Sequence, residues 1–476
     1  MENKPWRRKT KIICTIGPAS DSEEKLKELC QAGMDVARLN FSHGTHPEHK
    51  QRIDTIKKVR EELGLPIAIL LDTKGPEYRI RTFRDGSVEL KEGDSFTFTS
   101  EDVEGDQNRV SVSYAGLPGE LSPGDTILLN DGLMSFQVKE IEGTEIRCEV
   151  TCGGVLSNRK SMSFPGKHIK QKYLSDQDKS DLLFGIENDV DIIACSFVSV
   201  RQDMVDVKTF LHKNGGDDMT LIAKIENQSG VDNIDEICEE SDGVMVARGD
   251  MGVELDFEKL PGIQKDLIQK CRMLGKQVIT ATEMLESMTK NPRPTRAEVS
   301  DVANAVYDMT SAVMLSGETA AGDYPIEACK TMAKIAVATE SRIHYAKRFH
   351  KAEFTIQNDV DAVSHGTCDM ALDINAKAIV ACTLSGMTAR MIARFRPPMD
   401  ILGLTTSEKR WRQISLSWGV LPVMCEQLPS TEVLFYTAKN LTRDTLALEK
   451  GDRIVITGGV TSGISGTTNM IKIEVL

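Results

Sequence analysis

The chain has 476 residues, 40% of them hydrophobic and 27% charged, which is enough for two to four globular domains with large buried cores. Its 58 Lys and Arg against 71 Asp and Glu leave a formal charge of −13, a field that repels a polyphosphate backbone and argues against nucleic acid as the main partner. No stretch approaches the roughly 20 apolar residues of a membrane span, and the basic cluster Lys4, Arg7, Arg8, Lys9 and Lys11 precedes a short apolar run, Ile12 to Ile16, instead of a signal-peptide core.

In chain order, short apolar runs alternate with amphipathic helical stretches, the pattern of a parallel sheet wrapped by helices. The runs predict strands at Lys11 to Ile16, Val36 to Asn40, Ile67 to Asp72, Asp191 to Ser196, Thr220 to Glu226, Gly243 to Arg248, Gln277 to Thr282 and Ala312 to Ser316. Eight such units predict a closed (β/α)8 TIM barrel. The series breaks once, between Asp72 and about Lys160, where alternating runs such as Ser87 to Leu90 and Phe136 to Val138 are punctuated by the turn signals Gly93-Asp94 and Gly124-Asp125. This predicts a small β-barrel domain inserted after the third strand, over the barrel mouth, where it can serve as a lid.

A helix ending near Arg348 and the polar stretch Lys351 to Asp361 mark the last boundary. Beyond it, strands are predicted near Ala378 to Cys382, Ile401 to Thr405, Arg453 to Thr457 and Ile471 to Leu476. The expected organisation is a TIM barrel over 1–73 and 163–350, a lid over 74–162 and a C-terminal α/β regulatory domain over 351–476. The eleven cysteines mostly lie singly in apolar runs, as Cys14, Cys195 and Cys382 do, and predict free thiols in a reducing cytoplasm.

In a TIM barrel the chemistry sits at the C-terminal ends of the strands, and polar residues collect there in this sequence. They are Arg38, Asn40, Ser42 and His43 after strand two, Asp72, Thr73 and Lys74 after strand three, and Lys224, Glu226 and Asn227 after strand five. Strand six ends in Arg248, Gly249 and Asp250, strand seven in Thr280, Thr282 and Glu283, and strand eight in Ser316 and Glu318. Lys224 and Glu226 are two apart and share one face, which on its own fits a structural ion pair as well as a site.

Asp250 shifts the balance, because it would meet Glu226 at the end of the neighbouring strand. Two carboxylates about 4 Å apart repel by roughly 4 kcal/mol at an effective dielectric of 20, and a cation relieves the repulsion. Two acids that leave the remaining positions to water and substrate suit Mg2+ or Mn2+. A hard metal beside Lys224 and Arg38 suits phosphoryl transfer, whose charge needs positive partners already in place. Gly249 fits both a plain turn and a close backbone approach to an anion. Asn40, Ser42, Asp72 and Thr73 bring one carboxylate with neutral oxygens, which suits K+ or a hydrogen-bonded turn network. The common nucleotide motifs are absent, so a nucleotide would rest on scattered basic groups such as Arg79 and Lys160 at the two ends of the insertion.

The segments LNFSHG (Leu39 to Gly44), LDTKGPEYR (Leu71 to Arg79), KIENQSGV (Lys224 to Val231), MVARGDMGVE (Met245 to Glu254), NPRPTRAEVSDVANAV (Asn291 to Val306) and SGETAAGDYP (Ser316 to Pro325) closely resemble the pyruvate kinase family, of the bacterial type without an extra C-terminal domain. The resemblance runs in order over nearly the whole chain. It implies transfer of the phosphoryl group of phosphoenolpyruvate to ADP, giving pyruvate and ATP, with Lys224 stabilising the transition state and Glu226 and Asp250 holding Mg2+. It also implies substrate contacts from Arg38, Gly249, Asp250 and Thr282, and K+ ligands at Asn40, Ser42, Asp72 and Thr73. Nucleotide contacts would come from Asn40, Phe41, Ser42, His43, Arg79 and Lys160, and proton delivery to the enolpyruvate from the region of Ser316 and Glu318.

Glu77 matches the acid of K+-requiring members, while Ile80 and Glu283 stand where the family often has Thr and Gln. Thr383, Ser385, Gly386 and Thr388, with Gly466 to Asn469, resemble the family's effector site and imply a sugar-phosphate or nucleotide effector. Leu384 and Met387 stand where fructose 1,6-bisphosphate-activated relatives carry basic residues, which speaks against that activator. A homotetramer is implied as well. Two other readings use the same residues: a metal-dependent barrel lyase, which needs neither lid nor Lys224, and a non-catalytic sugar-phosphate sensor.

Overall fold

A computed structural model of the chain describes residues 8–130, 132–167, 169–426, 430–459 and 468–476. Lys4 and Arg7 of the basic cluster, and Gly466 and Thr467 of the expected effector site, lie outside the described residues.

Eight parallel strands close into a barrel: Lys11–Thr15, Val36–Asn40, Ala68–Asp72, Ile192–Cys195, Thr220–Ile225, Gly243–Ala247, Gln277–Ala281 and Ala312–Leu315. Val36–Asn40 is as expected, and each of the others is the expected strand less one residue at one or both ends. The strands read as continuous apolar runs because both faces are covered, by helices outside and by packed side chains inside. Ile13, Val36, Leu70, Ile222, Met245, Ile279 and Met314 fill the interior, all fully or nearly fully buried. The helices are framed by local signals. Ser22 caps Glu23–Ala32 and Gly33 ends it in the left-handed conformation, while Thr45 and Glu48 form a capping box at the start of His46–Leu63.

The insertion forms a seven-stranded sheet running from Tyr78–Arg79 at one edge to Arg109–Ser111 at the other. The two edges meet: Ile80 bridges Val112, and the Ser113 N–H donates to the Arg79 carbonyl at 2.8 Å. The sheet thus closes around Phe96, Phe98 and Phe136, whose rings pack edge to face. The predicted run Ser87–Leu90 pairs separately with Gly154–Ser157.

The C-terminal part carries a five-stranded sheet, one strand more than expected. The additional strand, Val420–Met424, lies at the sheet edge and contains Pro422. Proline lowers the strand signal in a sequence, yet at an edge its missing N–H leaves no neighbour unsatisfied. The boundary differs too: Tyr345–Lys351 is helical to Lys351, and the next helix, Asp359–Asp373, begins inside the stretch read as irregular.

The C-terminal sheet docks on the N-terminal floor of the barrel. Lys9 Nζ donates to the Met399 carbonyl at 2.9 Å, Lys11 Nζ to the Val420 carbonyl at 2.7 Å, and Arg412 Nε to Asp191 at 2.7 Å. With the floor occupied, the opposite mouth is left to the insertion and to chemistry.

Candidate active site

Parallel strands place their C-terminal residues on one rim, so the charged residues at the ends of strands two, three and five become neighbours across 150 residues and more of sequence. Register pairing sets Asn40 beside Asp72, and Ala194 beside Asp72 on its other side. Strand four therefore delivers Ser196 to the centre of the group.

Lys224 Nζ lies 3.0 Å from Asp72 Oδ1, 3.0 Å from Glu226 Oε1 and 2.7 Å from Ser196 Oγ. Burial works to lower the Lys224 pKa, but Asp72 and Glu226 outweigh it and raise the value above that of an ordinary lysine, so the ammonium stays charged. Arg38 donates from Nε to Asp72 Oδ2 at 2.7 Å and from Nη1 to Thr15 Oγ1 at 2.8 Å. Burial favours the neutral form of Asp72, yet Arg38 and Lys224 hold its pKa below the usual carboxylate range. Ser196 Oγ accepts from Lys224, and its O–H donates to the Thr73 carbonyl at 2.6 Å or to Asp72 Oδ1 at 3.2 Å.

Glu226 accepts the Phe197 N–H on its other oxygen. Burial raises its pKa, the Lys224 ammonium pulls it back, and the charge of Asp250 pushes it up again, leaving it raised. Asp250 lies just past the end of strand six, as expected, in the first turn of the short helix Arg248–Glu254, with its side chain exposed. Both carboxylates line one cleft of about 230 Å³ between barrel and insertion, to which the insertion contributes Arg79, Ser161 and Ser163. Among the described residues no His, Cys, Asp or Glu groups with them into a cage of three. That donor set suits a divalent ion whose remaining ligands are water and substrate oxygens.

Thr282 and Glu283 both have positive φ, 67° and 53°, an uncommon conformation for side chains with a Cβ and most of all for a β-branched one. The Gly249 N–H donates to Thr282 Oγ1 at 2.7 Å, so the group expected to face an anion is engaged by a threonine in this state. Glu283 is exposed. Glu318 is fully buried, and its two oxygens accept the N–H groups of Leu285 at 3.0 Å and Ser316 at 2.6 Å, tying the loops after strands seven and eight together. The Ser316 hydroxyl is buried and has no hydrogen-bond partner among the described residues.

Asn40 Oδ1 accepts the Ser42 N–H at 3.1 Å, and the Phe41 ring packs inward on His49, 4.0 Å between ring centres, which leaves Phe41 only backbone to offer a ligand. His43 is exposed. Arg79 is gripped by Glu77 through two 2.9 Å contacts, and Lys160 meets the same strand end through its carbonyl, which accepts the Ile80 N–H at 3.0 Å. In the C-terminal domain, Gly386 stands at φ 86° where a Cβ would come within 2.8 Å of Ile414, and its N–H donates to Thr383 Oγ1 at 2.9 Å. Thr388 Oγ1 meets Thr468 Oγ1 at 2.7 Å, and Ser385 lies between them in the same loop.

Two residues escaped the sequence reading. Ser196 is the central hydrogen-bond partner of Lys224, and the strand-end test that found the other residues would have found it had it been applied to strand four. Arg248 was placed at the end of strand six, but its reach to the strand-seven loop leaves no trace in the sequence.

The family model described as pyruvate kinase, barrel domain, matches residues 7–329, and that described as pyruvate kinase, alpha/beta domain, matches residues 361–474. The chain is 50% identical over 472 residues to the pyruvate kinase of Staphylococcus haemolyticus strain JCSC1435, covering 98% of this chain and 80% of that protein. The same figures hold for the pyruvate kinase of Staphylococcus aureus strain MRSA252. A crystal structure of a pyruvate kinase from Cryptosporidium parvum superposes with a TM-score of 0.93 at 37% identity, covering 100% of this chain and 97% of that one. A closed barrel with its charged rim, a lid, a docked α/β domain and family matches across nearly the full length lead to one conclusion: the chain belongs to the pyruvate kinase family of phosphotransferases.

Proposed function

We propose that the rim of the barrel transfers the phosphoryl group of phosphoenolpyruvate to ADP, with Lys224 as the residue that stabilises the group in flight. The observation that carries this reading is the buried Lys224 ammonium, held between Asp72 and Glu226 and kept charged by them. A fixed positive charge in a water-poor site is worth most where negative charge spreads over transferring oxygens. Arg38 adds a second charge from strand two, reaching the group through Asp72. Glu226 and Asp250 would hold Mg2+ or Mn2+, which would supply positive charge to offset that of the substrate oxygens. Asp72 and Ser196 would keep Lys224 aimed at the phosphoryl group.

Thr282 and the Gly249 N–H would receive the substrate carboxylate, exchanging their mutual bond for bonds to it. The Ser316 hydroxyl, unpartnered at the rim, suits a proton path to the enolpyruvate carbon, with Glu318 as the residue that positions it. Asn40, Ser42, Asp72 and Thr73 offer neutral oxygens and one carboxylate, a donor set suited to K+, and Glu77 accords with that dependence. Arg79, Lys160 and the backbone from Asn40 to His43 would meet the nucleotide. The loop Thr383 to Thr388 would take a sugar-phosphate or nucleotide effector, in a cytoplasmic homotetramer. No helix among the described residues is long and apolar enough to cross a membrane.

The test is a coupled assay of pyruvate formation from phosphoenolpyruvate and ADP with Mg2+, run with and without K+ and with a panel of sugar phosphates and AMP. Mg2+-dependent turnover that rises with K+ is expected. No turnover under any of these conditions overturns the reading.

A further inference from the structure

Arg248 opens the helix that carries Gly249 and Asp250, yet its side chain turns toward the next strand. The guanidinium donates from Nε to the carbonyls of Ala281 and Thr282 at 3.3 and 3.2 Å, and from Nη2 to the Thr282 carbonyl at 2.6 Å. Nη1 meets both carboxylate oxygens of Asp301 at 2.7 Å, with Gln264 Oε1 at 3.4 Å. Its side chain is 13% exposed, which shields the carbonyl contacts from water, while that of Asp301 is 35% exposed. The carbonyls it grips belong to the turn where Thr282 and Glu283 hold positive φ.

Such a turn is strained for residues with a Cβ and persists only where its surroundings enforce it. The Gly249 N–H returns the contact by donating to Thr282 Oγ1. Each strand end therefore fixes the other, and Asp301, on the helix Arg296–Tyr307, anchors the guanidinium from outside.

We infer that Arg248 is a positioning residue that locks the metal-site helix and the strained Thr282 turn into one unit, with Asp301 orienting its guanidinium. The inference rests on the assignment of Asp250 to the metal and Thr282 to the substrate. Lysine cannot replace the fork: a single ammonium cannot hold two carbonyls and a carboxylate in one plane. The clamp touches the phosphoenolpyruvate and metal half of the site, whereas the expected nucleotide contacts lie on strand two and the insertion.

The experiment compares the parent with Arg248→Lys, Asp301→Asn and Thr282→Ala, measuring kcat and KM for each substrate, the Mn2+ dissociation constant by electron paramagnetic resonance, and the unfolding midpoint. Arg248→Lys is expected to lower kcat/KM for phosphoenolpyruvate by about ten- to a hundredfold, the scale of a misplaced reacting group. It should weaken Mn2+ binding several-fold and leave KM for ADP within twofold. Asp301→Asn should show the same pattern at smaller size and keeps the question open to test should the lysine variant fail to fold.

The inference is overturned if either folded variant keeps kcat/KM for phosphoenolpyruvate and the Mn2+ constant within twofold of the parent. It is equally overturned if both substrates suffer alike. A Thr282→Ala variant indistinguishable from the parent would remove the substrate assignment on which the clamp depends, an outcome distinct from failure of the clamp itself.

Discussion

The two ends of the barrel both bury ionised groups, and they use them in opposite ways. At the floor, charges pair across the domain boundary and are pinned to backbone. Arg412 meets Asp191 at 2.7 Å and Asp189 at 2.8 Å, and the second Asp191 oxygen takes the Ile69 N–H at 2.8 Å. Arg8 meets Asp35 at 2.8 Å while Asp35 also takes the Ile12 N–H at 2.8 Å. At the mouth, two cations and three carboxylates crowd one rim, with Glu226 and Asp250 lining its cleft, and they compete: Lys224 divides itself between Asp72 and Glu226, and Asp72 between Lys224 and Arg38. The floor cavity beside Lys11 and Asp35 is lined mostly by apolar residues, whereas the mouth gains from a cation between its acids and an anion beside its bases. Buried charge becomes a candidate site where several acids open together on one polar cleft.

Removing the central charge should break this contrast most visibly. Lys224→Met is expected to lower kcat by about 10³-fold or more, the scale seen when a cation is withdrawn from a transferring phosphoryl group. Circular dichroism should report an intact fold, because Glu226 can take up a proton in compensation. A kcat within tenfold of the parent would reduce Lys224 to a structural ion pair like those at the floor. The matching test below is Arg412→Leu. It strands the fully buried Asp191 with only Arg60, 3.4 Å away, as a charge partner and should cost about 3 kcal/mol in chemical denaturation, at the lower end for a broken buried pair. Turnover at 25 °C should stay within twofold. Ser196→Ala should act more mildly, lowering kcat about tenfold by removing one hydrogen bond to a charged group, with KM for ADP unchanged.

The contrast also explains what could be read from the chain. The mouth was legible because a barrel maps strand ends onto one rim, so Arg38, Asp72, Lys224 and Glu226 could be collected without knowing any distance. Asp250 was assigned to the right rim, but the short helix that carries it was not read, because a strand-to-helix switch after Ala247 looks in sequence like the plain turn that Gly249 allows. The floor was not legible at all. Arg412 and Asp191 are separated by 221 residues, Asp191 reads only as the start of an apolar strand, and their pairing depends on how one domain docks on another. Val420–Met424 was missed for a related reason: it is a strand only because Asp400–Thr405 lies beside it. Arg248 combines both cases, its position visible and its partners not.

The smallest expected effect probes whether the two ends are independent. Asp242 lies just before strand six, accepts the Leu221 N–H at 3.0 Å and meets Arg390 of the C-terminal domain at 2.9 Å. Burial would raise its pKa, but Arg390 and the N–H hold it below the ordinary value near 3.9. A carboxylate depressed on folding contributes stability that is present above its unfolded pKa and lost as pH falls through the folded one. The Asp242 side chain is 37% exposed, so solvent and salt screen the pair and keep the contribution small. Urea midpoints measured between pH 2.5 and about 6.5 should therefore place Asp242→Asn slightly below the parent near neutrality, with the two curves converging in acid. Turnover at neutral pH should be unchanged. A loss of turnover in a variant of near-parent stability would mean that strand Gly243–Ala247 carries a disturbance from the floor to Arg248 and Asp250, and that the two ends of the barrel are energetically one.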